Sequence, residues 1–302
     1  MKLYVEAPAT TANLSCGFDV LGLALDLTYR VEVETLKEQS FLITCEGEGK
    51  GLLPEDEENL FFRTVQKTWE YLGYQGPGLK VRAWSSIPIA RGLGSSAACI
   101  VAGIVTANAL SGENLTLEDM LRIAVALEGH PDNVVPAFLG GFTIALARGN
   151  DILYQKLSFA LPIHFYVLIP NYPLSTETMR QVLPRFYVRE DVVFSLSHLA
   201  FLLGSLLKGD VNGFLCALED RIHEPYREKY VVGFPEVKAY VKKKGIGNAA
   251  ISGSGPTILL CLCRPLEEGE RREIEEIFSS LDVCVGIRKV FPREEGVRVM
   301  TL

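Results

Sequence analysis

Positive charge is scarce in this sequence. It has 30 Lys and Arg residues against 37 Asp and Glu, which gives a formal net charge of −7. A protein that binds nucleic acid needs a basic surface, and the short basic run at residues 242–244 is typical of the solvated end of a helix. The charge balance therefore argues against a nucleic-acid partner.

Long apolar runs and an N-terminal leader pattern are also missing. We expect no stretch to span a bilayer, and Lys2 and Glu6 place charge too early for a signal peptide. Seven cysteines are present, but no two form a C-x-x-C pair and none clusters with histidine. An odd number of cysteines in mostly apolar segments predicts buried, reduced thiols. These absences together predict a cytoplasmic protein without a membrane partner.

What the sequence does contain is enough apolar residues for a sizeable core. Hydrophobic residues make up 48% of the 302 positions and charged residues 22%, as in soluble globular proteins. The composition shifts near residues 148–151, and we predict two domains, residues 1–155 and 156–302. In the second, strands and interleaved helices follow the order of a ferredoxin-like α+β domain. In the first, alternation over residues 28–36 and 41–46 predicts an antiparallel pair of strands.

The most informative stretch is a glycine-rich loop at residues 88–98, Pro-Ile-Ala-Arg-Gly-Leu-Gly-Ser-Ser-Ala-Ala. It follows a strand pattern at residues 79–84 and opens an apolar helix over residues 97–110. The first N–H groups of a helix lack partners, and the helix dipole adds partial positive charge there. Gly92 and Gly94 allow positive φ angles and a close approach of a ligand. The loop predicts a cradle for an anion, above all nucleotide phosphates; the alternative is an ordinary serine-capped turn.

Four further polar segments interrupt the apolar pattern, at residues 7–19, 128–136, 175–180 and 219–227. The first mixes hydroxyls, an amide and a carboxylate, and predicts a substrate-facing loop. In the second, Gly129 can end one helix and Pro131 suits the start of the next. In the third, Thr176 and Arg180 share one face of a helix. For each segment taken alone, ordinary loop or surface chemistry is the alternative.

These motifs resemble those of the GHMP kinases, which include galactokinase, mevalonate kinase and homoserine kinase. The pattern Pro-x-x-x-Gly-Leu-Gly-Ser-Ser-Ala-Ala resembles their phosphate loop, and a second glycine-rich turn at residues 252–257 resembles their third motif. Three segments resemble the homoserine kinases in particular: Ala-Pro-x-Thr-x-Ala-Asn-Leu-x-x-Gly-Phe-Asp at 7–19, Glu-Gly-His-Pro-Asp-Asn at 128–133 and Glu-Pro-x-Arg at 224–227. The resemblance covers most of the chain.

The resemblance implies an α+β, two-domain GHMP-kinase fold. Its N-terminal, ATP-binding domain would be of the ribosomal-protein-S5-like kind and its C-terminal domain ferredoxin-like, with the active site between them. It also implies ATP and Mg²⁺, and the conversion of L-homoserine to O-phospho-L-homoserine in threonine biosynthesis. A homodimer is a further expectation from the same resemblance.

Roles for individual residues also follow from the resemblance. ATP would lie on the loop residues Pro88, Ile89, Ala90, Arg91, Gly92, Leu93, Gly94, Ser95, Ser96, Ala97 and Ala98. Ser96 and Glu128 would hold Mg²⁺, because hard oxygen ligands suit that ion. Asn13 and Asp19 would bind the ammonium group of the substrate. Arg180 and Arg227, supported by Thr176, would bind its carboxylate, which a guanidinium fork matches in shape and charge.

The group that activates the substrate hydroxyl is the least defined. Asn133 would orient the hydroxyl, His130 would lie near the phosphate, and Asp132 is a candidate base. Adjacent helix residues point about 100° apart, so Asp132 and Asn133 cannot both face the γ-phosphate. Phosphoryl transfer can proceed through positioning and charge stabilisation. We therefore favour Asn133 without a dedicated base.

Two alternatives remain open. The first is another GHMP kinase, for example one that acts on mevalonate, because an arginine pair requires a carboxylate but not an amino acid. The second is a ligand-sensing relative that has lost catalysis. The presence of Glu128, Ser95 and Ser96 argues against the sensor, and magnesium-dependent ATP turnover would separate it from an enzyme.

Overall fold

A computed structural model describes residues 1–302 and contains two β-sheets with helices packed on them. The strands are β1 (Lys2–Asn13), β2 (Gly17–Leu36), β3 (Phe41–Gly47), β4 (Gly78–Ser85), β5 (Phe142–Arg148), β6 (Asp151–Leu157), β7 (His164–Pro170), β8 (Gly247–Ile251), β9 (Ile258–Leu262), β10 (Val285–Val290) and β11 (Arg298–Thr301). The helices are α1 (Leu60–Leu72), α2 (Ser95–Leu110), α3 (Leu117–Glu128), α4 (Pro131–Leu139), α5 (Thr176–Gln181), α6 (Arg189–Lys208), α7 (Val211–Cys216), α8 (Glu224–Arg227), α9 (Phe234–Lys243) and α10 (Glu268–Ser280). Mixed helices and sheets confirm the predicted α+β class.

The first sheet has seven strands: β11, β1, β2, β4 and β3 lie side by side, β5 pairs with β2, and β6 pairs with β5. The predicted antiparallel pairing of residues 28–36 with 41–46 is wrong, because β4 lies between β2 and β3. The chain between β3 and β4 includes α1, and such a crossover lets the two strands run parallel. The alternation of apolar and polar residues predicted each strand, but not which strand it pairs with.

The second sheet has four antiparallel strands in the order β10-β7-β9-β8. With its helices it follows the β-α-β-β-α-β order predicted for a ferredoxin-like domain. The last strand departs from the predicted boundary: β11 pairs with β1 in the first sheet, with Tyr4 opposite Met300. The split at residue 155 stays a prediction, and the C-terminal strand belongs to the first sheet.

Helix ends follow the local chemistry of the sequence. Thr116 and Asp119 form a capping box at the start of α3. Gly73, with φ of 61°, ends α1 in the left-handed region. Helix α2 is apolar all round, and it is buried between the first sheet and helices α1, α3 and α4. This burial fixes the start of α2, and with it the glycine-rich loop, against the core.

The predicted loop at residues 7–19 is mostly strand. β1 continues through Asn13, with Thr10 opposite Ala24 of β2, and β2 begins at Gly17. Only residues 14–16 form the turn, and Leu14 and Ser15 both have positive φ. The strand pairing holds the polar groups of this segment in fixed places.

Two expectations about the surface were wrong in part. Cys216, Cys263 and Cys284 are exposed, whereas Cys16 and Cys261 are among the buried thiols. No apolar stretch was expected to span a bilayer, but α6 is long and apolar enough by length and composition, with a mean hydropathy of 1.4. Only 22% of that window is buried, so α6 carries much of its apolar surface outward.

Candidate active site

A cleft of about 450 Å³ lies between the two sheets. Its walls come from the glycine-rich loop, the α3–α4 junction, the end of β1, α5, α8 and the turn after β8. The loop end of the cleft combines the backbone of the glycine-rich loop with the side chains of Arg91, Ser95 and Ser96. The other end gathers charged side chains from segments far apart in the chain.

The glycine-rich loop is held in place by the second glycine-rich turn, at residues 252–257. Ser252 Oγ donates to the carbonyl of Gly92 over 2.6 Å. A Cβ on Gly92 would lie 2.2 Å from the Ser252 carbonyl oxygen, and φ at Gly92 is 74°. Gly94 caps the start of α2 with φ of 67°, where the helix N–H groups face an incoming anion. The two loops therefore pack together as the sequence predicts.

The loop does not present every predicted nucleotide-binding residue. Ile89, Ala90, Arg91, Gly92, Gly94, Ser95 and Ser96 line the cleft. Pro88, Leu93, Ala97 and Ala98 do not line it, and all four are buried. Apolar side chains after the glycines anchor the loop while its backbone faces the cleft.

Ser96 and Glu128 meet on one wall of the cleft. Ser96 Oγ donates to Glu128 Oε1 over 2.7 Å. Burial raises the pKa of the Glu128 carboxyl, although the Ser96 hydrogen bond acts in the opposite direction. A hydroxyl and a carboxylate side by side offer two hard oxygen ligands.

The α3–α4 junction brings His130, Asp132 and Asn133 into one buried network. Asp132 Oδ1 lies 2.5 Å from His130 Nδ1 and accepts from Asn133 Nδ2 over 3.3 Å. Thr10 Oγ1 donates to Asn133 Oδ1 over 2.7 Å. Burial opposes the charged imidazole, but the hydrogen bond to Asp132 and the nearby carboxylates outweigh it and raise the pKa of His130. Asp132 thus holds its two neighbours in place.

Asp19 and Arg180 form a bidentate ion pair across the cleft. Arg180 Nη1 and Nη2 donate to the two Asp19 carboxylate oxygens over 3.0 and 2.7 Å. The hydrogen bond to Asp19 raises the pKa of Arg180. Asp19 follows the β1–β2 turn, whereas Arg180 lies on α5, where Ser175 caps the helix.

Arg227 is buried without a carboxylate partner. It is 2% exposed and donates to the carbonyls of Met179 and Gly253 over 3.2 and 3.0 Å. Burial, with the nearby charge of Arg180, lowers the pKa of Arg227 to about 10. Arg227 therefore contacts only neutral acceptors, lines the cleft and has no carboxylate within hydrogen-bond distance.

Asn13 and Thr176 also line the cleft, but their side chains hold its parts together. Asn13 Nδ2 donates to Gly253 O over 2.8 Å, and Asn13 Oδ1 accepts from the Asp19 amide over 3.0 Å. Thr176 Oγ1 lies 3.2 Å from Ser254 Oγ. Both residues bind the turn after β8 to the charged end.

Two positions that the sequence reasoning missed organise this end. Phe18 lies between the two arginines, with its ring 5.2 Å from the Arg227 guanidinium and 5.9 Å from that of Arg180. His223 stacks on Phe18, with 5.2 Å between the ring centroids. The Gly-Phe-Asp sequence placed Phe18 beside Asp19, and that adjacency was the available signal.

A second missed region lies at the wide end of the cleft. The start of α1 and the chain before it supply lining residues that no motif indicated, among them Glu58, Asn59 and Arg63. Asn59 caps α1 and is structural in that role. This end is far in sequence from the glycine-rich loop, and only the fold brings the two together.

A phosphate cradle next to a cluster of arginine and aspartate defines a small-molecule kinase of the GHMP class. The GHMP kinase N-terminal domain matches residues 59–141. The chain is 36% identical to a homoserine kinase of Clostridium kluyveri over 100% of this chain and 99% of that protein. It is 38% identical to a homoserine kinase of Clostridium acetobutylicum over 92% of each.

Solved structures agree. Homoserine kinase from Cytophaga hutchinsonii superposes with a TM-score of 0.84 at 29% identity, covering 99% of this chain and 97% of that one. L. major mevalonate kinase superposes with a TM-score of 0.71 at 14% identity over 96% of each chain and shares the fold. The chain belongs to the homoserine kinase family.

Proposed function

We propose that this protein transfers the γ-phosphoryl group of ATP to the side-chain hydroxyl of L-homoserine, giving O-phospho-L-homoserine and ADP in threonine biosynthesis. The observation that carries the proposal is the buried Arg227, which lacks a carboxylate partner and lines the same cleft as the phosphate cradle. A substrate with a carboxylate at one end and a hydroxyl at the other suits that arrangement. Full-length similarity to homoserine kinases supports the assignment.

The nucleotide phosphates would bind to the start of α2. Backbone N–H groups from Gly92 to Ser96 are the donors that a helix start leaves unpaired. The wide end of the cleft, near Asn59 and Arg63, has room for the nucleoside. No lysine lines the cleft, and Arg91 of the loop donates to the carbonyls of Pro170 and Ile89, so we assign most of the phosphate recognition to the backbone and the helix dipole.

Ser96 and Glu128 fit Mg²⁺. Their adjacent oxygens match the ion's preference for one or two protein ligands, with phosphates and water completing the shell. No group of three or more acidic, histidine or cysteine side chains is arranged to hold a metal ion, so the two oxygens of Ser96 and Glu128 would be its protein ligands. When bound, the ion supplies positive charge to the phosphate oxygens. Ser96 and Glu128 would also support the end of the phosphate cradle that lies nearest the substrate hydroxyl.

The substrate backbone would bind at the charged end. Its carboxylate would pair with Arg227 and Arg180, and its ammonium with Asp19. In the structure Asp19 and Arg180 satisfy each other. A zwitterion can replace that pair without leaving either charge unpaired, whereas a simple acid or amine cannot.

The hydroxyl would be oriented by Asn133. Thr10 and Asp132 both hydrogen-bond the Asn133 amide and fix its direction. Asp132 is occupied by His130 and Asn133, which supports a positioning role rather than a base. A loose phosphoryl-transfer transition state needs alignment and charge more than proton removal.

The deciding experiment is ADP release by the purified protein with Mg-ATP. We expect strong stimulation by L-homoserine, and little by mevalonate, galactose or L-serine. Stimulation by mevalonate instead would keep the kinase class and refute the roles of Asp19, Arg180 and Arg227. Nucleotide binding without stimulation by any alcohol would favour a ligand sensor. We also propose a cytoplasmic location, which fractionation of cells with an antibody would check.

A further inference from the structure

The guanidinium group of Arg227 is held by three hydrogen bonds within the chain. Nε donates to the Met179 carbonyl over 3.2 Å, and Nη1 donates to the Gly253 carbonyl over 3.0 Å and to His223 Nδ1 over 3.3 Å. These bonds occupy the single hydrogen of Nε and both hydrogens of Nη1. Nη2 donates to no group of the chain and is not sealed off from the cleft that Arg227 lines. Nη2 is therefore the nitrogen with hydrogens to offer a ligand.

His223 accepts the second hydrogen of Arg227 Nη1, and its protonation follows from its partners. The residue is fully buried, and its Nε2 lies 2.8 Å from the carbonyl oxygen of Ser15. A carbonyl oxygen can only accept, so Nε2 must carry a hydrogen. A guanidinium can only donate, so Nδ1 must keep its lone pair. The two partners together fix the neutral Nε2–H tautomer of His223.

Asp220 places a carboxylate near the same ring, with Oδ2 3.7 Å from His223 Nε2. Its oxygens are already occupied. Oδ2 accepts from the three backbone amides of residues 222–224, and Oδ1 accepts from Ser195 Oγ. Asp220 therefore fixes the backbone of His223 at the start of α8 and leaves the ring hydrogen to the Ser15 carbonyl.

The ring of His223 also connects two elements of the charged end. It stacks on Phe18, with 5.2 Å between the ring centroids and 24° between the ring planes. Phe18 precedes Asp19 in β2, and Ser15 belongs to the turn before that strand. His223 thus contacts the segment that carries Asp19 and, on its other side, the guanidinium of Arg227.

We propose that His223 is a positioning residue, which turns the guanidinium of Arg227 so that Nη2 alone meets the carboxylate of the substrate. The inference rests on the proposed function, in which Arg227 binds that carboxylate. The bonds of Nε and Nη1 exclude the two-nitrogen fork with which arginine commonly binds a carboxylate. Arg180 then supplies the remaining donors, because its own nitrogens bond only to the Asp19 side chain. The acid group of the substrate bridges the two arginines.

Two replacements that each keep half of the ring's hydrogen bonding test the proposal. In His223→Asn the amide oxygen takes the place of Nδ1 and still accepts from Arg227. In His223→Gln the amide nitrogen takes the place of Nε2 and still donates to the Ser15 carbonyl. Both variants lose the ring and its stack on Phe18, so the loss of packing cancels when the two are compared.

KM for homoserine should separate the two variants. We expect it to rise about 10-fold or more in His223→Gln and to stay within about 3-fold of wild type in His223→Asn, because a hydrogen bond to a charged group is lost only in the first. Without that acceptor the guanidinium can turn, and Nη2 no longer points steadily at the carboxylate. The turnover number and KM for ATP should change little in either variant.

His198→Gln is the matched control. His198 also stacks on a phenylalanine, Phe194, and hydrogen-bonds a backbone carbonyl, but it does not line the cleft. Its replacement should leave KM for homoserine unchanged. Equal KM values in the two His223 variants, or a higher KM in His223→Asn than in His223→Gln, would overturn the proposal. Wild-type protein without ADP release in response to homoserine would instead refute the proposed function itself.

The tautomer of His223 gives a second test, which needs neither turnover nor a variant of this residue. The chain has four histidines, so replacing the other three one at a time assigns the imidazole ¹⁵N signals of the whole protein. We expect Nδ1 of His223 to have the chemical shift of an unprotonated nitrogen and Nε2 that of a protonated one. A hydrogen on Nδ1, in the other tautomer or in the imidazolium, would prevent it from accepting from Arg227 and would overturn the proposal.

Discussion

The two ends of the cleft are built on different principles. The phosphate end comes from one short segment, and its donors are backbone N–H groups fixed by glycine conformation and by the burial of α2. The charged end combines Asp19, Arg180 and Arg227, which come from three separate elements. From this comparison we expect phosphate recognition to tolerate little change in the backbone and substrate recognition to tolerate little change in charge.

The largest effect on activity is expected from a change in the backbone at the phosphate end. Gly92→Ala would place a Cβ 2.2 Å from the Ser252 carbonyl at positive φ. We expect kcat/KM for ATP to fall by about 10²-fold or more, since displacement of a binding group by about 1 Å has effects of that size. Gly245→Ala is the control, because it has similar φ but open space around it. Equal activity of the two variants would refute a rigid phosphate end.

The next effect concerns the buried cation of the charged end. Arg227→Met should raise KM for homoserine roughly 10²- to 10³-fold, because loss of one partner of a buried charge pair has a large effect on binding. KM for ATP should change little. The melting temperature without ligand should stay level or rise, because a buried unpaired charge is removed. A drop in both melting temperature and ATP affinity would mean that Arg227 is mainly structural.

A smaller effect on substrate binding is expected at Arg180, whose side chain is partly exposed. Arg180→Ala should raise KM for homoserine roughly 10- to 100-fold with a modest change in kcat, because charged hydrogen bonds contribute about 1.5–3 kcal/mol. Steady-state kinetics with varied homoserine measure it. Arg185→Ala, at an exposed position after α5, is the control. An unchanged KM would remove Arg180 from the substrate site.

The smallest effect on turnover is expected at Asp132, between the phosphate end and the charged end of the cleft. Asp132→Asn should keep turnover within about 10-fold of wild type, because Asp132 orients His130 and Asn133 rather than accepting a proton. Loss of a general base typically lowers rates by about 10²- to 10⁴-fold. A fall of about 10³-fold in kcat with unchanged KM would therefore make Asp132 the base and refute our assignment.

The same division explains what the sequence could predict. Local chemistry settles the Thr116 capping box, the end of α1 at Gly73 and the glycine-rich loop, because each depends on a few adjacent residues. The parallel pairing of β3 with β4 depends on a crossover through α1, and β11 joins β1 from the far end of the chain. Neither pairing leaves a signal in the nearby sequence.

The candidate site divides in the same way. Residue types and motif resemblance indicated Asp19, Arg180 and Arg227, but not that Arg227 is buried or that Asp19 and Arg180 pair with each other. Phe18 was missed because an aromatic next to a motif carries no sign that two arginines will flank it. Distances between remote segments decide these features.

The pairing of β2 on both sides determines how rarely its backbone opens. Leu23 is paired with Thr11 on one side and Phe142 on the other, so the strand that carries Asp19 cannot open without dismantling the sheet. Helix α5, which carries Arg180, is six residues long and has one buried side chain, Met179. Amide hydrogens of β2 should exchange only on global unfolding, and those of α5 far sooner. Of the charges proposed to bind the substrate, Asp19 is carried by a strand of the seven-stranded sheet, whereas Arg180 is carried by a short helix that should open far more often.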